Sequence, residues 1–265
     1  MYINNIYGFI GGDYRMEKLM IGSFNVRDNK INSHDGGENS LRVSELIRDF
    51  DLIGTQEFTI NYINRVALEL PREYKMYGDY RYGKLLKNIP YNENNNIITN
   101  KKVISDKTVW LPWLADNIGD LKVSIVKMSI MPRIATIVIF ETEDKMKNCM
   151  INTHLDYQVP SIQIRQLNAI RDLIFKYGKD YPIILTGDFN MELGDRNFDE
   201  FVKDVKDKVK HVDIEKPTWY GKDGKSAQFD HIFVPKGWQI EEAGVISSRG
   251  TSDHDIVYAN VSKKH

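Results

Sequence analysis

The feature that most constrains this chain is the way its apolar runs end. Six short runs each end in, or carry, a residue able to ligate a metal or move a proton. Asn25 follows "MIGSF", Glu57 follows "DLIGTQ", His154 follows "MINT" and Asp188 follows "ILTG"; Asp230 precedes "HIFV", and Asp253 with His254 precedes "DIVYANV". Buried strands ordinarily end in turn formers, so "ILTGDFN" is either a capped loop or a working site. Ends of neighbouring strands lie close together in a sheet. Groups scattered over more than two hundred residues can therefore converge at one rim.

Between these runs the periodicity changes. Val43, Leu46, Ile47 and Phe50 recur at helical spacing, as do Ile63, Val66, Ala67 and Leu70 before Pro71. Ile164, Leu167, Ile170, Ile174 and Tyr177 predict a longer helix ended by Gly178, and "NFDEFVKDV" a charged one. The middle and the last third are β-rich, with "RIATIVIF", "CMINTH", "AQFDHIFV" and "DIVYANV" as strand-like runs. Strands that interleave with helices but also follow one another imply parallel and antiparallel pairing together. The expected fold is α/β: two mixed sheets packed face to face as a sandwich, with helices outside. No linker divides the chain, so residues 1–18 read as a leader, poorly ordered, and 19–265 as one domain; Met16 offers an alternative start. The charge run "KDVKDKVKHVDIEK" reads as a solvated helix face carrying an exposed His211.

Composition narrows the classes of partner. A formal charge of −1 lacks the excess that duplex nucleic acid binding by electrostatics alone would require. A single cysteine, Cys149, rules out a disulfide framework or a thiolate zinc site and reads as a core residue. No apolar run reaches the roughly 20 residues that span a bilayer, and the start lacks the basic and apolar segments of an export signal. A cytoplasmic monomer with no membrane partner is expected.

The residue types at the run ends point to one chemistry. Glu57, Asp188 and Asp253 are ionised at neutral pH if their pKa values stay near about 4, and three converging carboxylates repel one another. A hard divalent cation relieves that repulsion. With the amide oxygens of Asn25 and Asn190, the set is all oxygen, suited to Mg²⁺, or to Mn²⁺, and poorly suited to zinc. Such an ion clamps phosphate oxygens, which makes phosphoester cleavage the natural reaction. His154 and His254 are candidates to face the negative oxygens, since imidazole titrates nearest neutrality.

The segments "IGSFNVRDN", "DLIGTQE", "NTHLDY", "TGDFN", "FDHIFV" and "SDHDIV", in this order, resemble the endonuclease/exonuclease/phosphatase superfamily, whose fold is that of pancreatic deoxyribonuclease I. The likeness runs from about Leu19 to Val261. It implies that Asn25 and Glu57 are the first-strand amide and the metal-binding glutamate, with Asp253 in the metal region. It implies that Asp188 orients or deprotonates the attacking water and that Asn190 holds that water and the phosphate. His254 matches the histidine that stabilises the phosphorane-like transition state, held by Asp230, and His154 the second active-site histidine. Glu93, in "NENNNIIT", resembles a glutamate that orients such a histidine, although Asn92 stands where the family has glycine. Arg133, in "MPRIATIVIF", fits a bacterial-branch arginine near substrate phosphate. The tryptophan-led strand of inositol phosphatases is absent, and the nearest look is a bacterial branch of largely unassigned substrate.

Taken singly, each residue has a bland reading, as a turn former, a cap or a structural histidine; six motifs in order do not. His34 reads as a loop residue, His231 as facing away from Asp230 across its strand, and Trp110 and Trp113 as core or rim packing. The leading expectation is a Mg²⁺-dependent phosphodiesterase or nuclease acting on nucleic acid or a nucleotide-like substrate. A phosphatase or phosphodiesterase of a small phosphorylated metabolite is the alternative, and a non-catalytic binding module the remote one.

Overall fold

The computed structural model describes residues 17–27, 38–83, 92–113 and 131–263. The leader therefore lies almost wholly outside the described residues, as does His34. Glu17 and Lys18, assigned to it from the sequence, belong to the fold: Lys18 opens β1, and a Glu17 carboxylate oxygen accepts from the Glu143 backbone N–H at 2.9 Å.

Two six-stranded mixed sheets lie face to face, as the run pattern predicts. The first is built from β1 (Lys18–Asn25), β2 (Leu52–Gln56), β3 (Lys75–Tyr77), β4 (Ile97–Thr99), β13 (Trp238–Ile246) and β14 (Ile256–Lys263), in the order β13-β14-β1-β2-β4-β3. The second contains β5 (Lys102–Trp110), β6 (Ile134–Glu141), β7 (Lys147–His154), β8 (Ile183–Asp188), β9 (Val209–His211) and β12 (Asp230–Pro235), in the order β5-β6-β7-β8-β12-β9. A small hairpin, β10 (Trp219–Tyr220) and β11 (Ser226–Ala227), stands apart.

Each sheet has one parallel pair at its centre, β1 with β2 and β7 with β8, and is otherwise antiparallel. Parallel neighbours need a crossover, and helices supply it. Helix α1 (Glu38–Ile47) joins the first pair and α3 (Pro160–Tyr177) the second. Helices α2 (Ile60–Glu69) and α4 (Arg196–Val205) complete the outer layers. Pro160 sits in the first turn of α3, where its missing N–H costs nothing, and Gly178 closes it by donating to the Ile174 carbonyl. Asp195 caps α4 through a carboxylate oxygen that accepts from Asn197 and Phe198 N–H.

Three apolar clusters fill the layers. Leu19, Ile21, Leu52, Val138, Met150, Ile184, Ile232 and Val257 pack between the sheets. Val43, Ile47 and Val66 press onto Phe24 and Ile53 of the first sheet, and Leu167, Ile170, Phe198 and Phe201 onto Ile151, Leu185 and Phe233 of the second. Cys149 is buried in this last cluster.

Three side-chain expectations are corrected. Ile164 is 40% exposed, because Ile162 and Gln166 occupy the inner face of α3, where Gln166 accepts from Asp156 N–H and donates to the Pro112 carbonyl. Ala67 faces solvent, since Tyr62, Val66 and Leu70 form the buried stripe of α2. His211 is not an exposed helix residue: it ends edge strand β9 and hydrogen-bonds His231 at 3.0 Å. Of the two readings for Trp110, core or rim, the structure shows the rim: it is 64% exposed, its indole N–H donating to the Arg81 carbonyl.

Candidate active site

The two parallel pairs decide where the run ends meet. Parallel strands finish on the same side, so β1 and β2 deliver Asn25 and Glu57 together, in register at Asn25 and Gln56. Likewise β7 and β8 deliver His154 beside Asp188. Antiparallel β12 begins where β8 ends, which sets Asp230 opposite Asp188. Antiparallel β14 begins where β1 ends, which brings the Asp253–His254 segment to the same rim. Glu57, His154, Asp188, Asn190, Asp253 and His254 thus border one cleft of about 500 Å³, with Asn25 and Asp230 buried behind it and bonded to Asp188 and His254.

Asp188 is the hub. One carboxylate oxygen accepts from the Asn190 backbone N–H at 2.9 Å. The other accepts from Asn25 Nδ2 at 2.9 Å and lies 3.5 Å from His154 Nε2 and 3.8 Å from His254 Nε2. Asn25 Nδ2 also donates to Glu57 at 3.0 Å, so this amide bridges two carboxylates while its oxygen accepts from Arg27 N–H. Asn190 Nδ2 donates to the Leu155 carbonyl at 3.1 Å. Glu57 and Asn190 both hold left-handed backbone, φ 60° and 52°, which side chains other than glycine seldom adopt.

Asp230 Oδ2 accepts from His254 Nδ1 at 2.8 Å and from the Thr218 hydroxyl at 2.7 Å. Burial alone would push His254 down, but Asp230, Asp188 and Glu57 outweigh it and raise the imidazole to about 9, so it is a cation at neutral pH. Burial raises Asp188, as does Asp230, against the pull of His254 and Asn25, leaving it at about 6. His154 goes the other way: burial and the charges of Arg133, Arg81 and His254 hold it well below the usual histidine range, so it is neutral. One histidine is charged and the other is not, which the sequence does not reveal.

Candidate ligands for a divalent ion line the same cleft. Asp253 Oδ2 is engaged by the Arg27 guanidinium and by Trp219 Nε1 at 3.1 Å, but its Oδ1 is buried without a hydrogen-bond partner. That orphaned oxygen and the Glu57 carboxylate line the same cleft and suit a hard cation. Asp188, Asp230 and His254 also converge, with ligand atoms within 4.8 Å. His254 hydrogen-bonds Asp230 through Nδ1 and sets Nε2 3.8 Å from Asp188, an imidazolium between two carboxylates, and a doubly protonated ring has no lone pair for a metal.

Glu93 forms an ion pair with Arg81, and both line the cleft beside Arg133 and His154. Arg81, Arg27, Trp219 and Tyr157 are cleft residues that motif reading did not single out. Only the register and the turns bring them to the rim. His231 is buried and faces away from Asp230 as expected, its ring bonded to the Met191 carbonyl at 2.9 Å.

Comparison with known proteins agrees with this architecture. The model of the endonuclease/exonuclease/phosphatase family matches residues 22–254. An endonuclease/exonuclease/phosphatase family protein from Bacteroides thetaiotaomicron superposes with a TM-score of 0.77 at 22% identity, covering 95% of this chain and 100% of its own. A mannosyl-6-phosphatase from the same organism gives 0.74 at 22% identity, covering 92% and 99%. TDP2 of D. rerio, complexed with a single-strand DNA product, gives 0.68 at 15% identity, covering 92% and 98%. No curated protein matches the chain by sequence.

Proposed function

Since the chain belongs to the endonuclease/exonuclease/phosphatase family, we propose that it is a divalent-metal-dependent phosphoester hydrolase, with water as the nucleophile. The observation that carries this is that an imidazolium and a neutral imidazole both lie within 3.8 Å of one carboxylate oxygen of the ionisable base Asp188.

Asp188, with its pKa near 6, is ionised at neutral pH yet basic enough to take a proton from water. Asn25 and the Asn190 backbone N–H fix its two oxygens, so the base does not rotate away. His254, kept protonated by Asp230, presents Nε2–H to the negative oxygens that develop as water adds to phosphorus. His154 is uncharged and suited to hydrogen-bond a phosphoryl oxygen or the leaving oxygen. Bound Mg²⁺, or Mn²⁺, would be held by Glu57 and Asp253 with Asn25 beside them, supplying Lewis-acid polarisation of the phosphoryl group.

The substrate class follows from the cleft. A volume of about 500 Å³ matches a small ligand. A net charge of −1 provides no long-range field for a polyanionic duplex. A small phosphorylated molecule, or a single-stranded nucleic acid end, suits this site better than the interior of a duplex.

The test is a panel of single-stranded and duplex DNA, RNA, nucleotides and phosphorylated metabolites, incubated with purified protein and Mg²⁺ or Mn²⁺, with a chelator control. Turnover of at least one small or single-stranded substrate, abolished by chelator, is expected. A protein that cleaves no phosphoester with either metal is not this hydrolase.

A further inference from the structure

Tyr157 lines the cleft yet has no part in the chemistry above. It is 61% exposed, and among the described residues no other ring packs against it. Trp219 and Phe229, which also line the cleft, pack on each other with 5.3 Å between ring centroids, and the Trp219 indole N–H is taken by Asp253. A single exposed aromatic residue ordinarily needs no explanation. What sets this one apart is the turn that carries it. Asp156, next to it, is buried: its N–H donates to Gln166 Oε1 at 2.8 Å, its carbonyl accepts from Gln163 Nε2 at 2.7 Å, and its Oδ1 accepts from the Gln158 and Val159 N–H groups. Helix α3 thus ties down the backbone on either side of Tyr157, and Gln158 Nε2 donates to the Tyr157 hydroxyl at 2.7 Å. An exposed ring on fixed backbone loses little freedom when a ligand covers it.

Its place says what covers it. Leu155 N–H donates to the Asp188 carbonyl and Asn190 Nδ2 to the Leu155 carbonyl, so the segment from His154 to Tyr157 runs on beside Asp188 and Asn190. Carboxylates, imidazoles and guanidinium groups make up most of the cleft, and they suit a metal and a phosphoryl group. Tyr157 brings the opposite chemistry, an apolar ring face, to the same cleft. The organic part of the ester is the component that matches it. An aromatic ring gains most from a flat partner that stacks on it, whereas a short alkyl chain covers little of its face.

Building on the hydrolase reading above, we propose that Tyr157 determines specificity by stacking on a ring in the alcohol portion of the substrate, so that phosphoesters of ring-bearing alcohols are selected over acyclic ones. The ring face makes the contact, and the hydroxyl, held by Gln158, steadies it. A planar ring and the apolar face of a sugar both present the surface it needs.

The experiment compares benzyl with ethyl esters, whose leaving alkoxides have similar basicity, each as the phosphomonoester and as the methyl phosphodiester. Mg²⁺-loaded wild type, Tyr157→Ala and Tyr157→Phe are assayed. The wild type favours the benzyl ester in whichever class it cleaves; in Tyr157→Ala the benzyl-to-ethyl ratio of kcat/KM falls by about tenfold, and Tyr157→Phe retains it. Both variants melt within about 2 °C of the wild type, because an exposed ring contributes little to stability. A wild type indifferent to the ring, or a ratio unchanged in Tyr157→Ala, overturns the proposal. So does an equal loss in Tyr157→Phe, which would assign the selectivity to the hydroxyl. A second readout avoids turnover: benzylphosphonate or cyclohexylmethylphosphonate raises the Tm of the wild type more than ethylphosphonate does, and the excess disappears in Tyr157→Ala. A larger excess for benzyl assigns a planar ring and a larger one for cyclohexylmethyl a saturated, sugar-like ring; no excess for either overturns the subsite. A wild type that cleaves none of the esters defeats the hydrolase reading itself, and the phosphonate shifts then decide on the ring subsite alone.

Discussion

Burial raises the basicity of Asp188, His254 lowers it and Asp230 raises it further, so substitutions at Asp188 and at Asp230 test the base and its surroundings. Replacing it by asparagine discards a carboxylate whose pKa burial has already raised to about 6, so Asp188→Asn should melt within a few degrees of the wild type. Turnover should drop by roughly 10²- to 10⁴-fold, the usual contribution of a positioned general base. Near-parental rates in a metal-loaded assay would show that another group takes the proton. Asp230→Asn tests the partner. Asp230 is the leading influence that keeps the buried His254 charged, so the ring's midpoint, followed by ¹⁵N NMR, should move down from about 9, with turnover falling alongside it. A midpoint that stays put would assign the imidazolium to Asp188 and Glu57 instead. The left-handed backbone of Glu57 and Asn190 belongs to the same picture. Sparsely populated conformations persist where surrounding bonds over-determine them, and Asn190 is tied through both its backbone N–H and its side-chain amide.

The strands do more than carry residues to a rim; they also bring the sheets close beneath it. Below the site the inter-sheet layer turns polar: Gln56 Nε2 donates to Ser23 at 3.1 Å and to Asn152 at 2.8 Å, and Asn152 Nδ2 donates to the Thr55 and Asn96 carbonyls. Gly54 of β2 permits this approach. A Cβ there would stand 2.2 Å from the Thr186 hydroxyl and 2.4 Å from Asn152 Oδ1, both short, buried and hydrogen-bonded side chains with no room to yield. Gly54→Ala should therefore cost about 1–3 kcal/mol in urea unfolding and also lower activity, because the network under Glu57 and Asp188 must part. A stability within a few tenths of a kcal/mol of wild type would mean that the sheets slide apart freely. The sequence shows a glycine in an apolar run and nothing about what faces it. Helix faces were similarly half legible. The spacing of Val43, Leu46 and Ile47 marks the buried stripe of α1 correctly, whereas in α3 a hydrogen-bonding Gln166 takes an inner position and Ile164 turns outward.

At the level of the whole molecule, acid stability should depend on two histidines far from motif recognition. His231 must donate from Nε2 to the Met191 carbonyl, so its Nδ1 accepts from His211 Nε2, and both rings are neutral. Burial lowers His231 to about 3, helped by His211, and lowers His211 to about 4. Both folded-state values lie below the unfolded 6.5, so their contribution is complete above pH 6.5 and lost as pH falls toward 4 and 3, by about 1.4 kcal/mol per pH unit for each ring. Asp188, raised to about 6, has the opposite sign and gains stability as pH falls through that value. In His231→Gln the slope of unfolding free energy between pH 6 and 4 should become shallower by about 1.4 kcal/mol per pH unit; an unchanged slope would place the acid sensitivity elsewhere. The sequence by itself determined the class of fold, the two mixed sheets and the identity of the residues at the strand ends, because hydrophobic periodicity and residue chemistry are local properties. Tertiary structure alone decided which histidine is charged, that His211 and His231 pair, and that Arg81 joins Arg133 in one wall of the cleft. Those outcomes depend on burial and on charges brought within a few ångströms by strand register, distances that no spacing along the chain encodes.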